Sequence, residues 1–342
     1  MSLKNSNAII KIPKLLQNKL NNKRINKIYK RFEKSLKINE NFIVAVSGGP
    51  DSLALAFLSK IYSIKNNLKS LFVIVDHKLR NESTIEAKNV KKILKKFNIN
   101  PEILTWVGRK PLKNIQSIAR KKRYELLFSS CKKFKISNIC LGHHQDDLLE
   151  NFIIRILRGS GLKGLVSLGK KNKINNINIL RPLIDIKKED LIFVSNYVFN
   201  FYVKDPSNEN EKFQRIRIRK LLLNLEKEGL DRKKFISTIS NLKYSEEVIQ
   251  FYVNENLKKN SFFLVNKNKS ILNTEFFSQP HEIIFRSLSD LIKKIGKNHY
   301  PVRGKKLEKL MDEIKQKSSL KLTLGGCILK KVKETVIISK EH

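Results

Sequence analysis

Six consecutive residues, Ser47, Gly48, Gly49, Pro50, Asp51 and Ser52, combine what an anion-binding turn requires. Two glycines let the backbone turn tightly and approach a phosphate without Cβ interference. The first amides of a following helix would point at the same anion, aided by the helix dipole. Pro50 suits a first helical position, where no N–H is needed. Ser47 and Ser52 offer hydroxyl donors, and Asp51 offers a carboxylate for a Mg²⁺ ion bridging phosphates. The hexapeptide lacks the GK[ST] ending of a Walker A loop and is not a GxGxxG turn. A second stretch, from Leu141 through Gly142, His143, His144, Gln145, Asp146 and Asp147 to Glu150 and Asn151, gathers imidazoles and acids. Read as helical from His143, it places His143, Asp147 and Glu150 at i, i+4 and i+7, on one face. Leu149, Phe152, Ile153 and Ile156 then form a separate anchoring face. Asp146 is offset and reads as an exposed acid at the helix start.

Both stretches need elements to hold them. Phe42–Val46 (FIVAV) is a short continuous apolar run, as expected of a strand buried on both faces. Further strands are expected over 71–75, 103–107 and 136–141, separated by helices over 53–64, 85–97 and 115–128. That alternation predicts parallel βαβ units in a doubly wound, mainly parallel α/β sheet, Rossmann-like in outline. A strand over 177–184 and a helix from 187 follow the irregular GSGLKGL stretch. The expected domains are a basic helical extension (1–40), a catalytic domain (41–222), a linker (223–235) and a smaller C-terminal domain of mixed helices and strands (236–342). Two C-terminal strands are expected, at 320–324 and 335–338.

Lys and Arg number 70 against 31 Asp and Glu, a net charge of +39, which favours a polyanionic partner such as nucleic acid. Lys, Asn and Ile are enriched along the whole chain, so part of that charge is compositional and the arginines are the more telling cations. No apolar run reaches the ~20 residues a spanning helix needs, so no membrane partner is expected. The first residues lack a long apolar segment and a small-residue cleavage site, and the expectation is a cytoplasmic protein. Cys131, Cys140 and Cys327 have no metal-ligand spacing and read as ordinary thiols.

After its strand, the hexapeptide resembles the PP-loop of N-type ATP pyrophosphatases, which hold the pyrophosphate of ATP while the α-phosphate is attacked. Within that class the chain is similar to the tRNA(Ile)-lysidine synthetase family. The similarity rests on Val75-Asp-His-Lys-Leu-Arg80 followed by Glu82 and Ser83, and on Ala119-Arg-Lys-Lys-Arg-Tyr124. It rests also on Leu141 to Asn151, on Arg158-Gly-Ser-Gly161, on Arg181-Pro-Leu183 and on Arg215-Ile-Arg-Ile-Arg219. These occur in order across about 40–220. Asn151 stands where a Thr is common, and the C-terminal third matches weakly, without the extra terminal domain of longer members.

The resemblance implies ATP as substrate with Mg²⁺, and as partners free L-lysine and tRNA(Ile) with a CAU anticodon. The cytidine C2 oxygen would be adenylated, and the lysine ε-amine would displace AMP. It places Asp51 on Mg²⁺-ATP, His143 by the reacting phosphate or base, and Arg123, with Arg120, by charge on the α-phosphate. Asp147 and Glu150 become candidates for recognising and deprotonating the lysine ammonium. Asp76 and His77 would line the cleft, and Arg215 and Arg219 would meet substrate phosphates. A second copy of the chain is a further candidate partner. The alternatives are a PP-loop tRNA thiolase and a non-catalytic RNA-binding protein with a retained loop. The missing CxxC speaks against the first, the complete loop against the second.

Overall fold

The apolar runs become strands of two separate sheets in the structure, a computed structural model. It describes residues 12–80, 82–108, 111, 114–174, 176–204, 211–264, 268–298 and 302–341. The chain divides into two compact units, 1–236 and 237–342.

In the first unit the helices α1 (Lys14–Leu20) and α2 (Lys23–Leu36) precede β1 (Phe42–Val46). Then follow α3 (Pro50–Lys65), β2 (Ser70–Asp76), α4 (Ser83–Lys95), β3 (Pro101–Thr105), α5 (Ile115–Phe134), β4 (Asn138–Cys140) and α6 (Gln145–Ile156). The unit continues through α7 (Leu162–Leu165), β5 (Lys171–Ile174), β6 (Ile177–Leu180), α8 (Lys188–Phe199), α9 (Gln214–Lys227) and the start of α10 (Arg232–Asn260). The sheet runs β3-β2-β1-β4-β6-β5. All neighbours are parallel except β5, which pairs antiparallel to β6. The doubly wound α/β reading holds. Ile43, Val73, Ile139 and Ile179 pack on one face with Leu127 and Cys131 of α5. Val44, Ile74 and Leu180 face the other, with α3 and α8. Helix α3 is buried on nearly every side, with Leu53 through Leu58 wholly enclosed. That enclosure holds the loop ahead of α3 in place.

Three expectations change. The segment before β1 is no extension. Leu16, Leu20, Ile25, Ile28, Tyr29, Phe32 and Leu36 are buried in the same core as Phe42 and Phe57. The spacing 25, 28, 29, 32, 36 is a helical stripe, and each such side chain adds about 2 kcal/mol when buried. Only residues 1–11 of that segment lie outside the described residues. The third strand ends at Thr105 rather than Val107, because its partner β2 stops at Asp76, opposite Thr105. Val107 is left exposed. Residues 223–235 are no linker either: they hold the end of α9 and the start of α10. Phe235 packs edge-on against Phe152 of α6, ring centroids 5.4 Å apart.

The second unit contains the rest of α10, then β7 (Ser261–Leu264), β8 (Lys269–Leu272), α11 (Thr274–Phe277), α12 (His281–Ile295) and α13 (Gly304–Gln316). It closes with β9 (Ser319–Leu324), β10 (Cys327–Val332) and β11 (Thr335–Lys340). Its sheet, β7-β8-β11-β10-β9, is antiparallel throughout. Leu288, Ile292, Leu307, Met311 and Ile338 form its core. The two expected C-terminal strands are present; β10 joins them as a meander, and β7 and β8 extend the sheet.

Candidate active site

Strand order turns back between β1 and β4, and ligands of open α/β sheets bind beyond the carboxyl ends of strands at such a switch point. The phosphate loop follows β1 and the two-histidine segment follows β4, so both arrive at this crevice.

Gly48 has φ +87°, and a Cβ there would stand 2.7 Å from Val90 Cγ2 and 2.9 Å from Val203 Cγ2. Its carbonyl accepts from the Val203 amide at 2.9 Å. Gly49 precedes α3 with extended backbone, and Pro50 takes the first helical position. Ser52 does not reach outward as expected. Its buried hydroxyl donates to the Gly49 carbonyl at 2.9 Å and accepts from the Ser47 amide at 3.1 Å. It shapes the loop, while Ser47 stays exposed. Asp51, in the first turn of α3, has one buried oxygen, Oδ1, with no hydrogen-bond partner among the described residues. A buried carboxylate oxygen left unpaired suits a cation.

The segment after β4 differs from its sequence reading. Helix α6 begins at Gln145, and His144 caps it. The His144 Nδ1 accepts from the Asp146 amide at 3.2 Å, and Asp147 Oδ2 accepts from the His144 amide at 3.0 Å. This reciprocal cap follows from acid-at-N3 spacing. His143 therefore lies ahead of the helix and does not share the helix face of Asp147 and Glu150. Its Nδ1 is buried without a hydrogen-bond partner among the described residues. Burial, then the charges of Arg181, Arg120 and Arg215, hold its pKa well below the usual imidazole value against the pull of Asp147. Gly142 lets the segment approach the loop, since a Cβ there would stand 3.3 Å from the Asp51 carbonyl carbon. On the anchoring side, Leu149, Phe152 and Ile154 are buried, but Ile156, the last residue of α6, is exposed.

Asp147 and Glu150 are both buried and neither opens freely on a cleft. Helix α9 packs on α6 and brings Arg215 and Arg219, one turn apart, over these acids. Arg219 Nε donates to Glu150 Oε1 at 2.6 Å. Arg215 lies 3.6 Å from Asp147 Oδ1 and 3.7 Å from Glu150 Oε2. Burial opposes ionisation of Asp147, yet His144, His143, Arg215 and the capping amide outweigh it and hold its pKa below the ordinary value. Glu150 and Asp147 likewise hold Arg219 above the ordinary guanidinium value despite burial. Asp146 pairs with Arg232 at 3.2 Å.

His144 closes the circuit. Its Nε2 lies 3.5 Å from Asp51 Oδ2 and 3.5 Å from Asp147 Oδ2. Burial lowers its pKa, but Asp51, Asp147 and Asp146 outweigh this and raise it. A second proton on Nδ1 would break the cap. Asp51, His144, Asp147, Arg215, Glu150 and Arg219 thus form one chain of charge from the phosphate loop to α9. Sequence reasoning missed His144 and Gly142. The spacing of His144 and Asp147, an N-cap with an acid three residues on, was the signal for the first.

The other candidates have local partners of their own. Asp76 is turned into its own loop, accepting from Thr84 at 2.7 Å, Ser83 at 2.8 Å and the Lys78 amide at 3.0 Å. Burial works against ionisation, but these bonds prevail and lower its pKa. His77 accepts from Arg123 Nε at 3.4 Å, and burial with the Arg123 charge lowers its pKa to about 4. Arg120 is exposed over the Tyr124 ring. Arg181 is buried and braces the β5–β6 hairpin through the Gly169 carbonyl and Asn172. The three cysteines are buried and unpaired. Among the described residues no three His, Cys, Asp or Glu side chains form a metal-binding group, and no helix is long and apolar enough to cross a membrane.

The fold and loop define a PP-loop protein: the family model for the PP-loop domain matches residues 18–226. A tRNA(Ile)-lysidine synthase from Orientia tsutsugamushi is 33% identical over 89% of this chain and 70% of its own length. One from Rhodopseudomonas palustris is 29% identical over 86% of this chain and 89% of its own. A U34-tRNA thiolase from Methanococcus maripaludis superposes with a TM-score of 0.57 at 22% identity, covering 66% of this chain and 80% of that one, a likeness of fold. This chain belongs to the tRNA(Ile)-lysidine synthase family of PP-loop enzymes.

Proposed function

We propose that the chain joins free L-lysine to C2 of the wobble cytidine in the CAU anticodon of tRNA(Ile), consuming ATP. The observation that carries this reading is the charge chain from Asp51 to Arg219, set at the switch point beside the phosphate loop. Adenylation forms a bond between the cytidine C2 oxygen and the α-phosphorus and releases pyrophosphate. The lysine ε-nitrogen then bonds to C2, AMP leaves with that oxygen, and the amine loses a proton. The loop amides and Ser47 bind phosphate. Asp51 would hold Mg²⁺, an ion usually bound by one or two carboxylates together with substrate phosphates. Mg²⁺ there would offset phosphate charge.

Asp147 and Glu150 recognise the lysine ammonium. A carboxylate whose pKa is depressed by cations is a weak base, so recognition suits Asp147 better than deprotonating an ammonium of pKa ~10.4. Arg215 and Arg219 hold the two acids until substrate phosphate competes for them. Neutral His143 can donate to, or accept from, the base. Arg120 and Arg123 meet the α-phosphate, with His77 beside Arg123. Asp76 positions the loop that carries His77. The protein works in the cytoplasm.

The test is incubation with ATP, labelled lysine and bulk tRNA, followed by nucleoside analysis. Lysine-dependent label in one cytidine-derived nucleoside is expected. Sulfur incorporation instead would favour the thiolase, and tRNA binding without pyrophosphate release the non-catalytic reading.

A further inference from the structure

His144 has two hydrogen-bonding ends with different tasks. Its Nδ1 end caps α6 by accepting from the Asp146 amide. That bond leaves the ring proton on Nε2, which faces Asp51 Oδ2 and Asp147 Oδ2 at 3.5 Å each. His144 is 2% exposed, while the Asp51 side chain keeps about a quarter of its surface open toward the crevice. The two elements it joins also touch through Gly142, which packs on the Asp51 backbone. With Oδ2 of Asp51 turned toward the imidazole, Oδ1 is the buried oxygen left without a partner.

We infer that His144 is a positioning residue that turns the Asp51 carboxylate so that Oδ1 faces the metal of ATP·Mg, coupling the phosphate loop to the capped start of α6. This rests on the reading of Asp51 as the metal ligand. Asp51 belongs to a helix start, where its side chain has staggered alternatives; without a donor on Oδ2 the carboxylate turns among them. The Nε2 donor costs little to hold in place, because the cap already fixes the ring through its acceptor end.

Two substitutions separate the tasks. In His144→Asn the amide oxygen takes the place of Nδ1 and remains a strong N-cap, but the side chain ends short of Asp51. In His144→Gln an amide donor reaches toward the place of Nε2, and the cap is lost. For the full-length Asn variant the thermal midpoint should stay within about 2 °C of wild type. Its affinity for ATP·Mg, by calorimetry, should fall about tenfold, because the imidazole donor facing Asp51 Oδ2 is gone. Metal-free ATP should bind as in wild type. The Gln variant should show the reverse: a midpoint lower by several degrees, and ATP·Mg affinity within about threefold of wild type. On an Asp51→Asn background, His144→Asn should add nothing, since both act on one contact.

An Asn variant with wild-type ATP·Mg affinity overturns the inference and leaves His144 as a cap alone. A collapsed midpoint in that variant overturns it too, because the cap is kept. Additive losses in the double variant do the same. If wild type forms no lysine-modified nucleoside while the binding pattern holds, the reaction reading fails and the positioning role stands.

Discussion

The phosphate loop and the acid–arginine set occupy one crevice and are built in opposite ways. The loop closes on itself: Ser47, Gly49 and Ser52 are bonded to one another across three to five residues. The acid–arginine set is local only where Asp147 meets His144, and its acids otherwise depend on distant partners. Glu150 is held by Arg219, 69 residues away, and Asp147 by Arg215 of the same helix. A loop built within six residues tolerates change around it and almost none within it. A set assembled from two packed helices behaves in the reverse manner: any member can be replaced, but the cost falls on stability as well as chemistry. His144 alone belongs to both.

The sharpest break should come at Gly48. Alanine there meets both a positive φ and contacts under 3 Å with Val90 and Val203, so the loop must shift. Pyrophosphate release should drop by about a hundredfold or more, as expected for misplacing a reacting group by about an ångström. A midpoint change of only a few degrees would mark the loss as chemical. Near-wild-type release would show that the loop is not rigid.

Asp51→Ala comes next. Adenylation should fall by roughly a hundredfold, with tRNA affinity nearly intact, since cationic surface supplies the latter. Filter binding at one fixed salt concentration beside a pyrophosphate assay checks both; parallel losses would place Asp51 in the scaffold.

On the other side of the comparison, Arg219→Ala leaves the Glu150 carboxylate buried with only the longer Arg215 contact. Arg219 is partly exposed, which tempers the cost to about 2 kcal/mol, or about 6 °C in midpoint. Adding Glu150→Gln should restore much of this, because no charge is then stranded. Failure of that rescue would mean the pair is not what holds α9 on α6.

The smallest effect is expected at Asp76, whose bonds are as local as those of the phosphate loop. Its pKa is depressed in the folded state, so its stabilisation is complete above the unfolded value near 4 and is lost as pH falls through the lower folded value. Asp76→Asn should cost about 1 kcal/mol at pH 6, and the gap to wild type should close in stronger acid. Denaturant midpoints between pH 2 and 6 measure this, and a gap constant with pH would rule it out.

Much of the fold was legible in order and type. Continuous apolar runs such as FIVAV specify doubly buried strands, and their alternation with helices specifies a parallel sheet. The phosphate loop was legible as well, because Gly-Gly-Pro ahead of an apolar helix acts through backbone geometry inside six residues. Less legible was the polar edge strand β5, where composition masks the contact surface, and although the apolar stripe of α2 could be read, the core it packs into could not. The inward turn of Asp76 was missed for a related reason: its partners Ser83 and Thr84 belong to the next helix, and only the loop between them sets the distance.

At the site, residue types and helical spacing already selected Asp147 and Glu150 as candidates, and the family resemblance selected Arg215 and Arg219, separately. Only the packing of α9 on α6 decided that these acids and arginines are partners of each other, which changes both from free groups into a mutually neutralising set. Only the tertiary structure put His144 between Asp51 and Asp147. Local sequence determines turns, caps and faces, because those energies arise within one or two turns of chain. Which charge meets which depends on how whole helices dock, and that is decided by apolar faces far from the charged groups.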